Sequence, residues 1–155
     1  MKTTQVVLAS VSLALAIGCT CARAGQPIDI ANEPQLGASF AISDKSNMQM
    51  IAAGQISPAR LVRHAGIEYT VAVDRSSHII YIATSDPAFK TPESFTVTST
   101  LAQLLTSGIP QPWQEPGWAY HTALPSGWQA AFTIDLSTES SLRPESHVDW
   151  FFKRR

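Results

Sequence analysis

Apolar and polar residues alternate most clearly between Ile67 and Val73. There Ile67, Tyr69, Val71 and Val73 interleave with Glu68, Thr70 and Ala72, the period of a half-buried strand. A polar turn at Arg75-Ser76-Ser77 precedes Ile79-Ile80-Tyr81-Ile82-Ala83, a run with no polar face. Such a run predicts a central strand covered on both sides. Asp86-Pro87 ends it, because proline cannot donate to a ladder. Thr100-Leu101-Ala102-Gln103 has capping-box spacing and predicts a short helix reaching Gly108.

The flanking segments are read in the same way. Gly25 to Gln35 is an extended lead-in with two prolines, and Leu36, Ala38, Phe40 and Ile42 predict a first strand. Asp44 to Asn47 reads as a turn, and Met48 to Ile56 fits a strand imperfectly. Ser57-Pro58 resembles a helix start, with serine at the N-cap, and Gly66 would close that helix. Trp118, Tyr120, Thr122 and Leu124 are expected on one side of a strand, with Ala119, His121 and Ala123 opposite. Pro125-Ser126-Gly127 then turns the chain into a partner strand carrying Trp128, Ala130, Phe132 and Ile134. Leu136 to Ser146 reads as a loop. Val148, Trp150 and Phe152 form a last apolar face, opposite His147, Asp149, Phe151 and Lys153. The sum is a single α+β domain over 36–155: a mostly antiparallel sheet of about six strands, with one or two short helices on one face. Ile80, Ile82, Phe132 and Trp150 are the expected core.

Residues 1–24 read as a signal peptide. Lys2 supplies the charged start, Val6 to Ile17 is apolar and uncharged, and Ala22-Arg23-Ala24 is a small-x-small cleavage site. The apolar run is short for a membrane span. A lipobox-like Ala16-Ile17-Gly18-Cys19 competes with this route and would make Cys19 a lipidated anchor. The regular Ala22-Arg23-Ala24 favours the first route, with a periplasmic or secreted product; the second gives a membrane-anchored lipoprotein facing the periplasm. Both cysteines, Cys19 and Cys21, lie in the processed region, so thiol catalysis and a disulfide framework are excluded for residues 25–155. Lys2 and Arg23 leave with the presequence, and 9 basic and 12 acidic residues remain, net −3. That balance argues against a nucleic-acid binder. Lys153-Arg154-Arg155 reads as a solvated tail.

Candidate chemistry is sparse. The four histidines are scattered, and His147-Val148-Asp149 offers two metal-capable groups where zinc sites usually take three or four. Ser126 sits in a hairpin turn and not on the strand-to-helix turn of a nucleophile elbow. Glu68 with Asp74, or Glu115 with Asp135, are carboxylate pairs that spacing alone does not single out. No cofactor or metal is called for. The unusual feature is Ile109-Pro110-Gln111-Pro112-Trp113-Gln114-Glu115-Pro116-Gly117. Three prolines stiffen it and reduce the entropy lost on binding. Pro112, Trp113, Gln114 and Glu115 are therefore candidate partner-binding residues, with Trp113 the anchor. The competing expectation is that Trp113 folds back as a lid on the core.

The run from Ile82 to Glu93, then Ser99-Thr100-Leu101, Pro116-Gly117-Trp118 and Pro125-Ser126-Gly127-Trp128, resembles small exported proteobacterial proteins of the periplasmic immunity or inhibitor type. The resemblance covers roughly residues 67–134, with Ser94 and Thr98 standing where that pattern has glycine. It implies a binding role against a cell-wall hydrolase or toxin, without contact residues. The expected function is a non-enzymatic exported interaction protein. Two alternatives stay open: a small hydrolase using His121, His147 and Asp149, and an envelope structural lipoprotein anchored at Cys19.

Overall fold

The computed structural model describes residues 26–42, 47–133 and 142–155. Residues 1–25, which hold the expected signal peptide and Cys19, most of the 44–47 turn, Ile134, Asp135 and most of the 136–146 loop lie outside the described residues. Nine strands form one mixed sheet: β1 (Ile28–Asp29), β2 (Asn47–Ala52), β3 (Gln55–His64), β4 (Ile67–Val73), β5 (Ile79–Thr84), β6 (Trp113–Glu115), β7 (Ala119–Ala123), β8 (Gln129–Thr133) and β9 (Trp150–Arg154). The order is β1-β3-β4-β5-β9-β8-β7-β6, with β2 also on β3. Only β1 runs parallel to its neighbour. Among the described residues the domain is thus mostly sheet, with more strands than the sequence pattern predicts and one short helix.

That helix, α1 (Leu101–Thr106), forms where the capping box places it. The Gln103 amide N–H donates to Thr100 Oγ1 at 3.3 Å, and the Thr100 amide donates to Gln103 Oε1 at 2.8 Å. Two donors that a helix start leaves unpaired are thereby satisfied. Leu101 and Leu104 bury its inner side.

The helix expected from Ser57 to Gly66 is instead β3. Its start signals are local, whereas pairing with β2 on one side and β4 on the other is tertiary and prevails. Pro58 is tolerated because β4 pairs with β3 only from Ala59 onward, where the missing N–H needs no ladder partner. Gly66 ends a two-residue turn, not a helix. Ala65 and Gly66 have φ of +49° and +84°, the two left-handed residues that a type I′ hairpin between His64 and Ile67 requires. The strand expected over 36–42 reduces to one bridge, Ser39 to His78, although Leu36, Phe40 and Ile42 still pack on the core.

The two faces of the sheet differ. One carries the main core: Val62, Val71, Ile79, Ile82, Phe132 and Phe151 from strands, with Leu104 of α1 and Phe89 and Phe95 of the intervening loop over them. Phe89 sits 4.8 Å from the Trp128 ring and 5.7 Å from Phe151, so a loop residue knits the two halves of the sheet. The loop is held at the hairpin tip by Glu93, whose carboxylate accepts the Ser126 amide and, at 2.9 Å, its hydroxyl. The other face is lined by Ala59, Ala72, Ala83 and Ala131 around Tyr81 and Phe152. Small side chains there let the sheet curl towards this face, as in the interior of a narrow barrel.

Several side chains change sides relative to the sequence pattern. Ile79 and Ile82 both enter the main core because the β4–β5 register shifts beside them, which leaves Ile80 half-buried. Trp118 lies outside β7 and faces the alanine-lined side, opposite Tyr120. Val148 packs with Phe151, whereas Trp150, half-buried, and Phe152 face the other way. Replacing Ile82 with alanine should cost about 2–4 kcal/mol in denaturant melts, from a cavity in the main core. A near-zero change would place β5 at the periphery.

Candidate functional site

The proline-framed segment is an edge strand followed by a tight turn. β6 pairs with β7 through Trp113 with His121 and Glu115 with Ala119. Pro116 and Gly117 then occupy the centre of a turn closed by Trp118 N–H to Glu115 O at 3.0 Å. Gly117 has φ +79°, the third-residue conformation of a type II turn after proline. At the other end, the Thr122 hydroxyl donates to Pro110 O at 2.8 Å. The segment is thereby fixed at both ends.

Trp113 stands on this edge with 54% of its surface exposed. Its ring rests on His121, centroid to centroid 4.2 Å at 61°. It is therefore not a buried lid. Gln114 is also exposed. Glu115 turns inward and is the most connected side chain of the region. Its carboxylate accepts from Arg154 Nη2 at 2.6 Å and Nη1 at 3.3 Å, and from the Ala53 amide at 2.8 Å. It also lies 3.1 Å from His121 Nε2. Arg154 donates further to Ile51 O at 3.3 Å. Ile51 and Ala53 belong to the β2–β3 hairpin, at the opposite end of the strand order from β6. The sheet is open by backbone pairing, and these side chains draw its two ends together.

The electrostatics follow from this geometry. The Arg154 guanidinium holds the Glu115 carboxyl down at about 2, against the cost of burial and with help from the Ala53 amide. His121 is only 1% exposed, and burial pushes its imidazolium below the ordinary histidine range. Glu115 and Gln129 oppose that shift, whereas Arg154 adds to it. His121 Nδ1 makes no hydrogen bond of good geometry among the described residues.

From Trp113 a row of rings crosses the concave face. His121 is 5.6 Å from Trp118, and Trp118 is 5.9 Å from Trp150, with Phe152 beneath at 4.9 Å from Trp118. The row ends at a half-open cleft of about 570 Å³, whose walls include Trp118, Trp150, Tyr81, Glu68, Asp86 and Asp149.

The histidine and carboxylate candidates stay apart. His147 Nδ1 is 2.9 Å from Thr98 O, Asp149 accepts the Thr133 amide at 2.6 Å, and His121 engages Glu115. No group of three or more His, Cys, Asp or Glu among the described residues is arranged to hold a metal. Glu68 pairs with Arg63, and Asp74 accepts the amides of Ser76 and His78, so Glu68 and Asp74 serve separate partners. The basic cluster is not a solvated tail. Lys153 and Arg154 belong to β9 and alternate across it, Lys153 over the Trp128 ring at 4.7 Å and Arg154 over Trp118 at 4.9 Å. No family model, curated protein or solved structure matches the chain, so the geometry alone carries the functional reading.

Proposed function

We propose that this chain is an exported, non-enzymatic interaction protein, an inhibitor or immunity factor that binds another protein such as a cell-wall hydrolase or toxin through its concave face. The observation that carries this reading is Trp113: a large aromatic side chain, more than half exposed, on an edge strand fixed by prolines and backed by a buried ring. Ordering such a side chain costs little on binding, and tryptophan is over-represented among residues that dominate interface energy. The Cys-free chain beyond residue 24 suits an oxidising compartment.

Replacing Trp113 with alanine should leave the melting temperature nearly unchanged and weaken partner binding by roughly 2 kcal/mol, about thirtyfold. The test captures partners from periplasmic extract with the wild type and the variant, then assays any captured hydrolase for inhibition. Recovery of no specific partner at mild salt, or equal inhibition by both proteins, counts against the reading.

A further inference from the structure

We propose that His121 is a pH-sensitive latch: the neutral imidazole lets Glu115 hold the two ends of the sheet together, and protonation frees the β2–β3 hairpin from β6. The inference goes beyond the interaction reading and does not depend on it.

The first argument is where the ring can carry protons. Glu115 Oε2 is shared, lying 2.6 Å from Arg154 Nη2 and 3.1 Å from His121 Nε2. A carboxylate only accepts, so Nε2 carries the proton of the neutral ring and Nδ1 keeps a bare lone pair. A second proton must therefore enter at Nδ1. That atom is buried and has no hydrogen-bond partner of good geometry. The ring is enclosed by Trp113 at 4.2 Å, Phe152 at 5.5 Å and Trp118 at 5.6 Å. From β8 comes only the uncharged Gln129, diagonal to His121 in the β7–β8 ladder.

Charge is the second argument. Among the described residues, the titratable or charged groups that face His121 are Glu115 from β6 and Arg154 from β9. The β2–β3 turn adds the Ala53 amide, which is bound to Glu115. Protonation puts two cations on one carboxylate oxygen in a site closed to water. Burial and Arg154 oppose the new charge, and Glu115, already committed to Arg154, does not outweigh them.

The third argument is where the site can yield. Neighbours in the strand order, β6 and β7 included, are joined by backbone ladders. The junction of the sheet ends rests on side chains: Glu115 on the Ala53 amide at 2.8 Å, and Arg154 on the Ile51 carbonyl at 3.3 Å. Both links run through the ion pair that a charged His121 disturbs. Opening there breaks few hydrogen bonds and admits water to the ring. The enclosed imidazole takes its second proton less readily than a solvated one, whose ordinary value is about 6.5. The closed form is thus fully favoured above about pH 6.5 and loses ground as the pH falls below it. Glu115 stays ionised down to about 2 and does not titrate in this window.

The test is hydrogen exchange of the Ala53 amide in the whole chain from pH 8 to pH 5, corrected for intrinsic rates. The His121 ring nitrogens are followed by NMR in the same samples. At pH 8 the ring should show the Nε2–H tautomer. One proton taken up at about 6.5 raises the open fraction at most roughly thirtyfold by pH 5, and Ala53 protection should fall by about fivefold or more. It should also stay at least about tenfold below the protection of Val71, a core amide, which marks local opening and not unfolding of the sheet. His121→Gln keeps an N–H for Glu115 and takes up no proton, so its Ala53 protection should vary less than about twofold. Trp113→Ala removes one wall and spares the core; there the ring should titrate nearer its ordinary value and the Ala53 response should shrink. The latch is overturned by wild-type Ala53 protection that is constant, or equal to that of Val71 throughout. An equal fall in His121→Gln, an unchanged His121 titration in Trp113→Ala, or an Nδ1–H tautomer at pH 8 also overturns it.

Discussion

Replacing Glu115 with glutamine should lower the free energy of unfolding by roughly 2–4 kcal/mol and flatten the acid limb of the stability profile. Breaking one side of a buried ion pair usually costs about 3–5 kcal/mol, because the remaining charge is left without its partner. The figure here is set lower because the Arg154 side chain keeps 20% of its surface and Glu115 keeps 13%. Glutamine still offers an oxygen to the Ala53 amide, so the loss falls on the Arg154 contact. The pH dependence has a definite sign. The Glu115 carboxyl ionises at about 2 when folded and near 4.5 otherwise. Its contribution is therefore complete above about 4.5 and disappears as the pH falls towards 2. The difference implies on the order of 2 kcal/mol, once solvent screening is allowed for. Other depressed carboxyls, Asp74 and Glu93, contribute to the same limb, so the measurement is the difference between wild type and variant in urea melts from pH 6 to pH 2. Parallel profiles would mean that Glu115 does not hold the ends of the sheet together. A double-mutant cycle with Arg154→Met should then show a coupling below about 0.5 kcal/mol in place of the 1 kcal/mol or more expected.

Phe151→Ala should be the most damaging single truncation, about 3–5 kcal/mol in guanidinium melts. Phe151 has no exposed surface, lies on β9 opposite Thr84 of β5 and Ala130 of β8, and contacts Phe89. The cavity would open where the sheet and the covering loop meet, and the neighbouring rings are too interlocked to collapse into it. A loss below about 1 kcal/mol would show that the loop carrying Phe89 repacks freely. The main core would then be looser than its geometry implies.

What the sequence reveals here depends on how far apart the partners are. The helix at Leu101 is legible because Thr100 and Gln103 are three residues apart. The β7–β8 hairpin is legible because Gly127, with φ of +81°, closes a local turn. β3 is not, since Ser57, Pro58 and Gly66 imitate the ends of a helix and only pairing with distant strands decides the matter. Side-chain facing fails where a bulge or turn resets the alternation, as beside Ile80 and at Gly117 before Trp118. In the candidate site, the proline frame of Trp113 can be read directly. The inward role of Glu115 cannot, because Arg154 lies 39 residues away and neither residue belongs to any periodic pattern. Arg154 is disguised further by two basic neighbours that make it resemble a tail.

The position of β9 has a consequence for the order in which the molecule assembles. Among the described strands it comes last in sequence, yet it lies in the middle of the sheet, between β5 and β8. Until it arrives, the ladder from β1 to β5 and the hairpins from β6 to β8 each present an unpaired inner edge. Neither half can complete the main core alone, because Phe151 is missing from both. Such long-range closure is slow, and exposed strand edges are prone to wrong pairing while they wait.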